Sequence, residues 1–334
     1  MIQGHGDDLY LYPQGAVRHN FSSNIPEPTN LQGLKTFLAS QLDCITTYPE
    51  PEPYTLEQLI ADREGVTPDN VVVTNGATEA IYLLAQAFQG SKSTIPQPSF
   101  SEYASACRIN RHKIGDNGDI VWLCNPNNPT GLVMTRDELG DRLAIQDILY
   151  VIDQAYENYT TEPLLTDAEA VALGNVALIH SMTKQYGVPG LRLGYVVADN
   201  LITERVRQVR QPWSVNALAL CAGTYLGKQR PTVDTTGLLD RAQTLWKMLN
   251  TIDGVEMIPT KTNFMLGRIT TGTAAELKAW LVGKYGILIR DASNFEGLTP
   301  QHFRVAAQSE DENQLLATAV HTYIHIRERK ERNL

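Results

Sequence analysis

Lys184 sits in the run Ser181-Met182-Thr183-Lys184-Gln185-Tyr186-Gly187, and Arg192 follows eight residues later. An amine among small residues is suited to covalent chemistry if it is buried beside an electron sink, but a lone lysine is more often a solvated surface charge. Three upstream runs make the chemical reading worth pursuing. Thr74-Asn75-Gly76-Ala77-Thr78-Glu79-Ala80 is a turn of small residues whose free amides, with the Thr78 hydroxyl, would hold a phosphate. An ordinary helix cap by Asn75 or Thr78 explains the same letters. Asn125-Pro126-Asn127-Asn128-Pro129-Thr130-Gly131 fixes a rigid turn that would aim the Asn128 amide at a ligand oxygen. Asp153, in Asp153-Gln154-Ala155-Tyr156, ends an apolar run. A carboxylate there is costly unless it faces a cation or a protonated ring nitrogen, or caps the next segment.

Each of these runs follows a short apolar segment, which is where open α/β sheets place their ligands. Periodicity predicts strands over 71–74, 120–124, 149–153, 176–181 and 193–198, with an amphipathic helix over 78–88. The continuous apolar runs are those of strands covered on both faces, so a three-layer α/β/α domain with a mostly parallel sheet is expected over residues 41–230. After about Pro231 the texture changes. A helix over 238–249 and strands near 255–258, 262–266, 287–290 and 303–306 indicate a smaller α+β domain over 231–334. Residues 1–40, rich in Pro, Asn and Gly, read as an N-terminal arm packing with the small domain.

The 334 residues allow two domains, and 28 Lys+Arg against 37 Asp+Glu leave a net charge of −9. That balance favours neither nucleic acid nor an anionic membrane, and the mixed-sign tail from Arg327 reads as a solvated helix end. No apolar stretch approaches a membrane span and the first residues lack a signal pattern, so a cytoplasmic location is expected. Cys44, Cys107, Cys124 and Cys221 match neither a zinc nor a redox spacing, which predicts no metal and reduced, mostly buried thiols.

Taken in order, Asn-Gly-Ala-Thr, Pro98-Ser99-Phe100, Asn128-Pro129-Thr130-Gly131, Asp153-Gln154-Ala155-Tyr156 and Ser181-Met182-Thr183-Lys184 with Arg192 resemble the class I/II aminotransferases of pyridoxal phosphate (PLP) fold type I. The resemblance runs from about Tyr48 to Asn313. It implies that Lys184 holds PLP as a Schiff base and moves the proton at the substrate α-carbon, while Asp153 pairs with the pyridine nitrogen. Tyr156 and Asn128 would bond the ring hydroxyl oxygen, and Phe100 would stack on the ring. Gly76, Ala77, Thr78, Ser181 and Arg192 would hold the cofactor phosphate, and Tyr48 would reach the neighbour's site across a homodimer. Arg304, in Phe303-Arg304-Val305-Ala306-Ala307, matches the arginine that binds the substrate carboxylate.

The segment Gly286 to Leu298 is similar to one shared by histidinol-phosphate aminotransferases and L-threonine-O-3-phosphate decarboxylases, which makes Arg290 a candidate for a substrate phosphate. The opening Gly4-His5-Gly6-Asp7-Asp8, with Asn20-Phe21-Ser22-Ser23-Asn24-Ile25, resembles the decarboxylases more, bringing in His5 and Asn24. The arm is short, and Ile25-Pro26-Glu27-Pro28 stands where those enzymes carry an Asn-Pro pair. The resemblance thus implies an enzyme acting on a small phosphorylated amino acid or amine. An aminotransferase of the histidinol-phosphate type ranks first, a threonine-phosphate decarboxylase next, and a non-catalytic PLP-binding regulator a distant third, since that would normally bring a basic DNA-binding domain.

Overall fold

The computed structural model describes residues 7–26, 30–229 and 233–332. Its strands, in chain order, are β1 (His19–Asn20), β2 (Val71–Thr74), β3 (Lys92–Thr94), β4 (Lys113–Ile114), β5 (Ile120–Cys124), β6 (Leu149–Asp153), β7 (Val176–His180), β8 (Gly194–Ala198), β9 (Val255–Met257), β10 (Phe264–Ile269), β11 (Ile287–Leu288), β12 (Arg290–Asp291) and β13 (His302–Ala306).

Seven of them form one sheet in the order β2-β8-β7-β6-β5-β3-β4. From β7 to β4 the strands run parallel, and β8 runs antiparallel to both its neighbours. Strands β6 and β7 are apolar and almost wholly buried because helices cover both faces, so neither can alternate with polar residues. One face packs Val151, Ile179 and Val196 under Ile81 and Leu84 of the helix Gly76–Ala87, and the other packs Ile152 and Leu178 against Leu139 and Ala170. At about 1.5–3 kcal/mol per fully buried aliphatic side chain, these two layers hold the strand ends in fixed register. β3 and the edge strand β4 escape periodicity because they are short and largely polar.

A four-stranded antiparallel sheet, β12-β13-β10-β9, carries the second core. The helices Thr235–Asn250, Ala274–Tyr285 and Glu310–Arg332 cover it through Leu245, Leu281 and Val320. The segment expected as one strand over 287–290 is split. β11 pairs in parallel with β1 of the arm, whereas β12 joins β13. Between them the arm is stitched in: Phe21 is fully buried in this core, its N–H donates to Leu288 O, and its carbonyl accepts from Ala306 N. The sequence boundary at residue 40 also assigns the helix Gln32–Ser40 to the arm. In the structure Leu34 of that helix packs in the core beside β2 and β8, and Phe37 stacks on Tyr225 at 4.7 Å, so this part follows the large sheet.

Of the four cysteines, Cys107 and Cys124 are buried while Cys44 and Cys221 are half-buried, and all are free. No helix of the described residues is long and apolar enough to cross a membrane.

Candidate active site

The carboxyl ends of β5, β6 and β7 face the helix Gly76–Ala87 across a cavity of about 280 Å³, closed on the far side by the arm and β13. Asp7, Asn24, Ala77, Thr78, Phe100, Tyr103, Asn128, Asp153, Tyr156, Ser181, Thr183, Lys184, Arg192 and Arg304 all reach its wall. Most of the residues chosen from sequence thus meet in one place. Gly76 contributes behind the wall: it has φ +81°, and a Cβ there would lie 2.7 Å from the Arg192 guanidinium, so only glycine lets that cation lie over the helix start. Arg290 stands beside the wall, Tyr48 lies elsewhere, and His5 is outside the described residues.

The helix cap by Asn75 that the sequence allows at the first turn does not form. Asn75 occupies the N-cap position of the helix Gly76–Ala87 but its side chain caps no amide. The first-turn N–H groups, the Thr78 and Ser181 side chains and Arg192 therefore converge without being consumed by a cap.

Asp153 is held from two sides. Tyr103 donates its hydroxyl to Oδ2 at 2.7 Å, and the Ala155 N–H donates to Oδ1 at 2.9 Å. Burial raises the pKa of the carboxyl, while Tyr103, Ala155, His180 and Lys184 oppose that rise. His180, on the next strand, stacks on Tyr195 and bonds both Asp167 and Glu157; burial alone would discharge it, but those two carboxylates keep its pKa well above the ordinary range.

Lys184 lies in the helix Met182–Tyr186, which opens directly after β7, with Nζ 5.7 Å from the Tyr156 ring centroid. Burial, reinforced by Arg304 and Arg192, lowers the amine to about 8, so a useful fraction is neutral and nucleophilic near neutrality. Burial pushes the Tyr156 phenol up to about 12 even though Arg304 opposes the shift, which keeps it a donor.

Arg304 is 4% exposed and donates to Asn128 Oδ1 at 2.5 Å and to Ser22 O at 2.7 Å, tying together the rigid turn, the small sheet and the arm. Burial pulls its pKa down to about 10, and Arg290 adds to the effect because the two arginines are direct partners across the β12–β13 ladder. Arg290, also 4% exposed, donates to Asn294 and lies over the Phe295 ring.

Several buried polar atoms of this wall have no hydrogen-bond partner among the described residues: both ends of the Asn24 amide, Thr183 Oγ1 and Arg304 Nε. Buried groups are rarely left so, and their concentration here fits a polar ligand. Asn24 faces the Tyr156 hydroxyl, but the contact lacks hydrogen-bond geometry. With an anion cradle at Arg192, a carboxylate at Asp153 and an amine between them, the residues fit PLP.

Sequence reading missed Tyr103, Thr183, Asp7 and Ser22. For Tyr103 the signal was present: it falls one turn after Phe100, the residue that precedes the helix Ser101–Ile109, so both share a face. Asp7 carried no such signal; it reaches the cavity because Asn20 Nδ2 donates to its carboxylate at 2.6 Å. Tyr48 is 85% exposed beside Trp213, with ring centroids 5.4 Å apart, and does not enter the cavity of its own chain. Among the described residues no group of three or more His, Cys, Asp or Glu comes together in a way that would hold a metal.

The family model for aminotransferase class I and II matches residues 31–116 and 112–320. A solved L-threonine-O-3-phosphate decarboxylase from Porphyromonas gingivalis is 38% identical, covering 92% of this chain and 100% of its own, with a TM-score of 0.90. The threonine-phosphate decarboxylase of Salmonella typhimurium is 29% identical over 333 residues, 90% of each chain. A histidinol-phosphate aminotransferase of Caldanaerobacter subterraneus is 28% identical over 300 residues, 83% of this chain and 84% of its own.

Proposed function

Since the chain belongs to the class I and II aminotransferase family and is a PLP-dependent enzyme, we propose that its reaction is decarboxylation of a small phosphorylated amino acid of the phosphothreonine type. This reverses the order suggested by sequence alone, in which transamination ranked first. The observation that carries the substrate class is the Arg290–Arg304 pair: two buried arginines at directly paired positions of β12 and β13, Arg290 with Asp8 and Asp291 near it, put two guanidiniums at one end of the site, and a ligand with two anionic groups suits both. Similarity to the decarboxylase from Porphyromonas gingivalis, including the full length of that chain, supports loss of carbon dioxide as the outcome.

When bound, the cofactor supplies the electron sink that makes a bond at the substrate α-carbon labile. Lys184 would be its attachment point, and the lysine amine would take or return the proton at that carbon. Asp153 would pair with the ring nitrogen, Asn128 and Tyr156 with the ring hydroxyl oxygen, and Phe100 would pack on the ring. Gly76, Ala77, Thr78, Ser181 and Arg192 would hold the cofactor phosphate. Arg304 binds the substrate carboxylate as a fork, Arg290 the substrate phosphate, and Asn24 the space between. The arm lines this end of the cavity through Ser22, whose carbonyl accepts from Arg304.

A homodimer is part of the same reading. Leu42, Ile45, Tyr48, Tyr54 and Trp213 are exposed apolar side chains in or against one segment, which supports a partner copy receiving Tyr48. The two separate cores support a large and a small domain dividing near residue 230. The test is product analysis: phosphothreonine should release carbon dioxide without an amino acceptor, whereas glutamate formed from histidinol phosphate and 2-oxoglutarate, with no carbon dioxide from phosphothreonine, would overturn the proposal.

A further inference from the structure

Tyr103 is fully enclosed, with 1% of its surface exposed, yet its hydroxyl points at the carboxylate on which the ring end of the cavity depends. Its ring stacks on Trp122 at 6.0 Å and meets Phe100 edge-on at 5.7 Å, so the hydroxyl has no freedom to turn elsewhere. Trp122 is itself fixed: its indole N–H donates to Ser93 Oγ, which bonds His112 Nδ1, while His112 Nε2 bonds Ala85 O. A buried polar chain from the end of the helix Gly76–Ala87 thus sets the wall against which Tyr103 leans.

We propose that Tyr103 is a positioning residue acting through Asp153: its hydroxyl fixes the carboxylate rotamer and holds the group ionised, leaving its free lone pairs to a protonated ring nitrogen. The inference rests on the PLP reading of the cavity, but the Tyr103–Asp153 bond exists without the cofactor. The groups facing Asp153 are Tyr103 from the helix Ser101–Ile109, Cys124 from β5, Tyr156 beyond β6, His180 from β7 and Lys184 from the helix that follows. Among the described residues Tyr103 is the one neutral donor whose side chain is bonded to the carboxylate, since the other bond comes from the Ala155 backbone. Its own pKa is pushed well above 10 by burial and by Asp153, so it remains a donor at every pH the protein would meet. Hydrogen bonds to a charged acceptor contribute about 1.5–3 kcal/mol, roughly tenfold to a hundredfold in an equilibrium.

The test compares Tyr103→Phe, Asp153→Asn and the double variant. In the cofactor-free protein, the infrared carbonyl stretch of a protonated carboxylic acid, assigned by its loss in Asp153→Asn, should titrate at higher pH in Tyr103→Phe. Fluorotyrosine at position 103, a stronger donor of nearly the same shape, should move it to lower pH. PLP dissociation, followed by visible absorption, should become at least about tenfold more favourable in Tyr103→Phe and change little when Asp153 is already Asn. An unmoved midpoint, or an equal loss of affinity in both backgrounds, would overturn the proposal. If the wild-type protein does not bind PLP, the proposed function fails while the infrared titration still decides whether Tyr103 governs Asp153.

Discussion

The carboxylate end of the cavity and its guanidinium end are both buried, yet their charges are balanced in opposite ways. Asp153 is met by the protein's own donors, Tyr103 and the Ala155 N–H, with imidazolium and ammonium charge nearby. At the other end Arg304 pairs in register with Arg290, near which Asp8 and Asp291 lie, and among the described residues Arg304 Nε and both amide atoms of Asn24 on the same wall have no hydrogen-bond partner. The ring end is therefore pre-organised before any ligand arrives, while the substrate end is completed by what binds. Such an asymmetry suits an enzyme that keeps one resident cofactor and exchanges its substrate every turnover.

The comparison is broken most severely by removing the amine between the two ends. Lys184→Ala should lower kcat by about 10³-fold or more and abolish the absorption change on borohydride reduction, since proton transfer and cofactor attachment are lost together. An unchanged spectrum would mean that Lys184 is not the attachment point. Next comes Arg304→Gln. Loss of a charge-assisted fork costs about 2–3 kcal/mol, so KM for the phosphorylated substrate should rise about 30- to 150-fold while the cofactor stays bound.

Arg290→Gln separates the two arginines. It should raise KM about tenfold for phosphothreonine and far less for threonine, whereas an equal effect on both would assign Arg290 a structural role. His5→Ala, tested the same way, should show a few-fold phosphate-selective effect if the resemblance that picked it out is right.

The smallest effect is on pH. Burial lowers Lys184 to about 8 in the folded chain, below its unfolded value near 10.4. Between those values the unfolded chain binds more protons than the native one, so Lys184's contribution makes the cofactor-free protein more stable as pH rises through that window, and makes PLP incorporation faster as pH rises toward about 8. Lys184→Met should flatten the stability slope, as read by denaturant midpoints at several pH values.

How much of this was legible depends on where the residues come from. Asn128, Asp153, Ser181 and Lys184 each follow a strand whose apolar run is unmistakable, so the sequence declared both the element and the residue at its end. Gly76 and Thr78 were legible as a turn, but only the structure shows that the Asn75 side chain bonds no first-turn amide, which leaves those amides to a ligand. Tyr103 carried a signal in its spacing from Phe100, but a tyrosine on an amphipathic helix reads equally as core, and only the structure points its hydroxyl at Asp153. The 287–290 segment was misread as one strand because periodicity does not report that its two halves pair with different partners.

By itself the sequence determined the mostly parallel α/β sheet and the PLP-dependent family, and it singled out Lys184 as the lysine proposed to carry the cofactor. These follow from local patterns, since hydrophobic period and turn residues act over a few positions. Tertiary structure alone decided that Arg304 and Arg290 stand opposite each other, that Ser22 and Asp7 reach the cavity, and that Tyr103 holds Asp153. Those contacts join residues as far apart as 282 positions, as between Arg304 and Ser22, and arise from strand pairing and core packing that no local window contains.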